Sequence, residues 1–188
     1  MNPAIIVRSG PAVLALAALM AATRFEHFGS HHLLPDASVA VFMLGGFYLA
    51  RVRWFALFLA EALLIDQLAT SLAGVSDWCV TPAYAFLLPA YAVAWLAGMW
   101  AAKGVQPSLR CVLRAALAFA AGVTGWFVIS NAGFFLFAGY FDEMSASEYA
   151  FRVARYFPGY LVAAAAYVLL AAALHGLWHF AGRAPRRA

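Results

Sequence analysis

Charge is what this chain has least of. Only 11% of its 188 residues are Asp, Glu, Lys or Arg, against about 25% in a soluble domain. Acid is scarcer than base, with eight acidic and twelve basic side chains. Cysteine is nearly absent. Cys79 and Cys111 are the only two, too few for a disulfide framework. The chain has no GxxxxGK[ST], so any ATP hydrolysis must come from other subunits. It has no HExxH, no CxxC and no Ser-His-Asp order to support a hydrolase or a dithiol redox centre. No basic run is long enough to track a nucleic-acid backbone, and repeats, low-complexity tracts and domain boundaries are missing as well.

What is present is apolar. Hydrophobic residues make up 66% of the chain, and the mean hydropathy is +0.84. A water-soluble core of this size cannot hide so much apolar surface, so the expected class is an all-α integral membrane protein. Six spans of about 20 apolar residues fit the length. They are read at about 4–23, 34–50, 54–75, 83–102, 111–138 and 160–181. The first resembles a signal peptide, with Arg8 followed by an Ala-rich end, but a retained helix gives the even number of spans. Ala17/Ala21 and Ala18/Ala22 set small residues one turn apart, which suits close helix approach. Gly45-Gly46 mark a helix contact or a kink. The fifth run is longer than the hydrocarbon core, and Gly122, Gly125, Asn131 and Gly133 suggest irregular packing within it. Ser145-x-x-Glu148 reads as a capping box, opening a short amphipathic helix over about 145–157.

Base is unevenly placed. Nine of the twelve cations fall at the N-terminus, near 51–53, near 103–114 and in the tail; Arg24, Arg152 and Arg155 fall in the opposite loops. The positive-inside rule puts both termini in the cytoplasm. The loops 24–36, 76–82 and 141–157, with six of the eight acids, then face out of a cell (inner) membrane.

The stretch Ser76-Asp77-Trp78-Cys79-Val80-Thr81-Pro82-Ala83-Tyr84 is the polar break on which the chain turns. It joins a thiol, an acid, aromatics and a helix breaker, and reads as the lip of an outward ligand site. A thiol at the mouth of a bundle can ionise and bind a soft or borderline metal. Asp66 lies inside the third span, where a carboxylate is costly and needs a cavity or a partner. Asp66, Thr70, Ala73 and Asp77 fall on one helical face that climbs toward Cys79, which favours a site residue over an interhelical bond. Glu61 points elsewhere. His27, His31 and His32 crowd the first loop, either as solvated interfacial histidines or, for His27 nearest the span end, as a site residue. His175-x-x-x-His179 is spaced for haem or zinc, but its place beside Trp178 and the basic tail favours an interfacial reading.

Six short spans, both termini inside, a small-residue first helix and an outward site resemble the substrate-binding S-component of energy-coupling factor (ECF) vitamin transporters. A lip cysteine after the third span is similar to the cobalamin-specific BtuM-type S-components. The resemblance implies that Cys79 is the axial ligand to the cobalt of cobalamin, a bound substrate, with no cofactor of the protein's own. It matches Asp66 and Tyr84, and adds His27 and Arg152 to the same cavity. It implies an ECF transmembrane coupling subunit and ATPases as partners through Ala17/Ala21 or Ala18/Ala22, beside the lipid bilayer and without nucleic acid. A corrinoid is broad, apolar on its faces and rimmed with amides. Trp78, Tyr84, Phe141, Tyr149 and Phe151 can wall it; Asp66, Asn131 and Arg152 can anchor its rim. A thiolate competing for an axial position could also displace cyanide from cyanocobalamin, which would give Cys79 an enzyme-like role. The alternative is a membrane-embedded redox or haem-binding enzyme that uses Cys79 or His175/His179.

Overall fold

A computed structural model describes residues 9–24, 34–72, 76–78, 80–103 and 108–181, apart from the side chains of residues 9 and 179–181. Seven α-helices make up the described chain: α1 (Ser9–Arg24), α2 (Ser38–Tyr48), α3 (Val52–Leu72), α4 (Leu87–Ala101), α5 (Leu109–Phe137), α6 (Ala146–Ala154) and α7 (Phe157–Ala181). A 3-10 turn, Pro82–Phe86, leads into α4. The described residues include no strand.

Four segments are long and apolar enough to cross a membrane: Val52–Leu72, Pro82–Ala101, Leu109–Phe137 and Phe157–Trp178. The first two of the six expected spans are shorter apolar helices, Gly10–Arg24 and Ser38–Tyr48. α2 has 11 residues, about 16 Å at roughly 1.5 Å per residue, half of a hydrocarbon core of about 30 Å. It lies inside the bundle, buried continuously from Ser38 to Gly46, so neighbouring helices cover it rather than lipid. α5, with 29 residues, is the long element that the sequence suggests. Apolar side chains are exposed in numbers on α3, α5 and α7, as expected where lipid is the solvent.

The core rests on the packing of α4 against α2 and α5. Two glycines allow it. A Cβ on Gly46 would fall on the carbonyl of Trp95, and one on Gly98 would fall on the carbonyl of Met43. Backbone meets backbone there, so α2 and α4 approach through reciprocal gaps, the small-residue logic of membrane helices. α5 is continuous through Gly122, Gly125 and Gly133, and those positions receive Ala97, Val93 and Phe86. Phe42 stacks on Tyr91 at 4.1 Å, with Phe58 and Trp95 filling the remaining space.

α3 ends at Leu72. Thr81 and Pro82 then start the 3-10 turn, with the Tyr84 N–H donating to the Thr81 carbonyl at 2.9 Å. Asp77, expected on one helical face with Asp66, is not helical; it is exposed on a turn whose Val80 N–H donates to the Asp77 carbonyl at 2.7 Å, and Ala73 of that face lies outside the described residues. α6 begins as the capping box suggests, with the Glu148 N–H donating to Ser145 Oγ at 3.2 Å. Its Glu148 side chain turns to Arg152 at 2.7 Å. On α1, Ala17 packs partly against the core while Ala18, Ala21 and Ala22 are exposed, so only the Ala18/Ala22 pair forms an open small-residue face.

Candidate functional site

The site is built on a buried cation. Arg24, expected in an outer loop, is the last residue of α1 and only 3% exposed. Its Nε donates to Asp66 Oδ1 at 2.8 Å and its Nη2 to Asp66 Oδ2 at 2.6 Å. Nη1 donates to Ser38 Oγ at 2.9 Å and to the Tyr91 hydroxyl at 2.7 Å. Asp36 lies 4.0 Å from the guanidinium and accepts from both the N–H and the hydroxyl of Ser38. The Tyr84 hydroxyl donates to Asp66 Oδ2. One planar fork thus ties α1, α2, α3 and α4 together, the kind of bidentate recognition for which arginine is suited and lysine is not. Asp66 therefore makes the interhelical bond that its supposed helical face argued against.

The pair also floors a cleft of about 240 Å³, bounded by Tyr84, Tyr91, Trp126, Asn131, Tyr160 and, at the rim, Trp78. Four of the expected site residues, Asp66, Tyr84, Trp78 and Asn131, meet there. The Asn131 amide is engaged at both ends, donating to the Phe127 carbonyl at 2.8 Å and accepting from the Tyr149 hydroxyl at 3.3 Å. The Trp126 indole N–H is buried and finds no acceptor among the described residues. A buried donor without a partner is costly, and an entering acceptor would relieve it.

A second cavity, about 520 Å³, is lined by Tyr140, Phe141, Asp142, Glu143, Glu148 and Arg152 among others. Arg152 belongs to this space and not to the cleft; its expected union with Asp66 and Tyr84 is not present. It is exposed and paired with Glu148. The two spaces meet at an aromatic partition. Trp78, on the rim of the first, stacks on Tyr140, on the wall of the second, at 3.8 Å and 11°, and the Tyr140 hydroxyl donates to the Trp78 carbonyl at 3.3 Å.

No protein-family model and no curated protein matches the chain.

The site is accordingly read from its own residues. Cys79 and His27, with His31 and His32, lie outside the described residues. Trp78, next in the chain to Cys79, and Arg24, three residues before His27, both line the cleft. Of the expected walls, Phe141 and Tyr149 pack on each other at 4.9 Å beside Asn131. Phe151 is 85% exposed and walls nothing, because it falls on the outer face of α6. His175 packs against Tyr48 at 5.7 Å, and the His179 side chain lies outside the described residues. No cluster of three or more His, Cys, Asp or Glu able to hold a metal occurs among the described residues.

Arg24, Tyr91, Ser38 and Trp126 escaped the sequence reading. A signal for Arg24 was present. A carboxylate within a span needs a partner, and the orientation count left three cations, Arg24, Arg152 and Arg155, in the loops opposite the termini. Arg24 is the one that directly ends an apolar run.

Proposed function

We propose that the chain is a membrane protein that binds cobalamin or a related corrinoid for uptake, with Cys79 as axial ligand to cobalt. The observation that carries this reading is the meeting of Asp66, Tyr84, Trp78 and Asn131 in one cleft, next in sequence to the thiol. Small-molecule pockets run from about 300 to 1,000 Å³. The cleft alone is below that range and would admit an edge or a side arm of the macrocycle. The Trp126 N–H offers such an arm's carbonyl a partner. If the Trp78–Tyr140 stack swings aside, cleft and second cavity join into one space within the range, and Arg152 enters the site. The broad ring would then lie between the aromatic walls, its amide rim toward Arg152 and its cobalt toward Cys79. Cyanide loss from cyanocobalamin at that thiolate belongs to the same proposal.

Coupling subunits and ATPases would complete an ECF-type transporter, docking on the exposed Ala18/Ala22 face, with both termini in the cytoplasm and the cleft open to the outside.

The test is equilibrium binding of cobalamin to the purified full chain in detergent. A saturable one-to-one complex is expected, weakened about tenfold by Tyr84→Phe, which deletes a hydrogen bond to a charged group. Failure of cobalamin to bind above an unrelated membrane protein would overturn the reading.

A further inference from the structure

Glu61 is a carboxyl that the cleft does not use. It sits at the middle of α3, in a segment long and apolar enough to cross a membrane. It is partly exposed and has no hydrogen-bond or ion-pair partner among the described residues. An acid at that depth is costly in lipid, and such side chains normally meet a polar partner.

Its neighbours show which way it faces. Leu57, Glu61, Leu64 and Leu68 follow one another by four, three and four residues, and the three leucines are 43%, 58% and 39% exposed. That alternation is the a/d seam of a coiled coil. On one flank Phe58 and Ile65 are buried in the chain's own bundle; on the other Ala60 and Gln67 are exposed. The seam therefore lies on the outer surface of the bundle, and the small Ala60 beside it lets a second helix come close. Ala62 and Asp66, on the far side of α3, are the buried ones, so the seam is separate from the cleft.

We infer that this seam is the contact between two copies of the chain, packed α3 against α3, with the two Glu61 carboxyls hydrogen-bonded across the axis that relates them. Acyl chains offer a polar group no partner. Two copies inserted in the same orientation are related by a two-fold axis along the membrane normal, so Glu61 of one meets Glu61 of the other at equal depth. A carboxylic acid has an O–H donor and accepting oxygens, so like pairs with like. A different membrane protein would need a polar side chain at the same depth on a matching seam; a second copy has both by symmetry. One polar residue at an a position among leucines is also the device that fixes register and strand number in paired helices.

The test is energy transfer between donor-labelled and acceptor-labelled full chains, mixed in phosphatidylcholine vesicles over a range of protein-to-lipid ratios. The wild type should show saturable transfer with the stoichiometry of a dimer. Glu61→Ala should weaken association at least about fivefold, as loss of an interhelical hydrogen bond in lipid does, with elution volume and helical circular dichroism as in wild type. Glu61→Gln keeps a donor and an acceptor and should stay within about twofold of wild type. Leu64→Ala should weaken association, and Leu170→Ala, at an exposed leucine of α7, should not. Transfer by the wild type no greater than random crowding gives would overturn the proposal and leave the seam to another membrane protein. Undiminished association of Glu61→Ala would overturn the carboxyl contact, and equal losses in Leu64→Ala and Leu170→Ala would reduce the dimer to unspecific apolar association.

Discussion

Arg24→Gln is the most informative single change, because the structure states what it leaves behind. Asp66 loses both bonds to the guanidinium, Ser38 and Tyr91 lose their donor, and Asp36 and Asp66 lose the guanidinium that they share. Removing one partner of a buried pair costs about 3–5 kcal/mol. For a chain of this length each kcal/mol lowers the midpoint by roughly 2–4 °C, so a fall of about 10 °C is expected. Asp66→Asn should cost less, since the freed guanidinium keeps Asp36, Ser38 and Tyr91. The double change Arg24→Gln/Asp66→Asn replaces the ion pair by two amides of similar shape and should recover most of the loss. The assay is thermal unfolding in detergent, followed by tryptophan fluorescence and by helical circular dichroism. The reasoning fails if Arg24→Gln shifts the midpoint by less than the error, or if the double variant loses the sum of the two single losses, which is the signature of side chains that do not interact.

Gly98→Ala should destabilise by at least about 1–3 kcal/mol, because the methyl meets the Met43 carbonyl and backbone cannot step aside; an unchanged unfolding midpoint would mean that α2 and α4 do not touch there. Ala50 holds φ at +49° between α2 and α3, a left-handed conformation that costs a residue with a Cβ about 1 kcal/mol. Ala50→Gly should therefore raise the midpoint by roughly 2–4 °C, and a lowered midpoint would contradict the strain. Phe151→Ala, at a side chain 85% exposed, should leave cobalamin affinity unchanged; a loss comparable to that of Tyr84→Phe would return Phe151 to the site.

Much of the fold is legible from hydropathy. The four long apolar segments, the unusual length of α5 and the start of α6 at Ser145 follow from run length and one capping signal, which are local. The short α2 was read too long, because an apolar run does not say whether lipid or protein covers it. Gly45-Gly46 could be recognised as a contact, but its counterpart Gly98 could not, since reciprocity between helices belongs to the packing. Asp66, Tyr84, Trp78 and Asn131 were each marked by a polar or aromatic side chain in or beside a span. Their convergence was not legible for the reason they were chosen, because Asp77, supposed to share a helical face with Asp66, lies on a turn. Arg24 was assigned to a loop by an orientation count that treats every cation as solvated. A cation that ends a helix and folds back on a buried acid defeats such counting.

The central claim is that sulfur from Cys79 meets the cobalt of a bound corrinoid, and the visible spectrum reads that bond directly. Purified wild type and Cys79→Ala are each saturated with cyanocobalamin, and the absorption bands and released cyanide are followed together. The account predicts displaced bands and free cyanide with the wild type, and the spectrum of the free vitamin with Cys79→Ala, since a soft thiolate on one axial position weakens or replaces the ligand it competes with. Identical spectra for free vitamin, wild-type complex and Cys79→Ala complex, with no cyanide released, would contradict it.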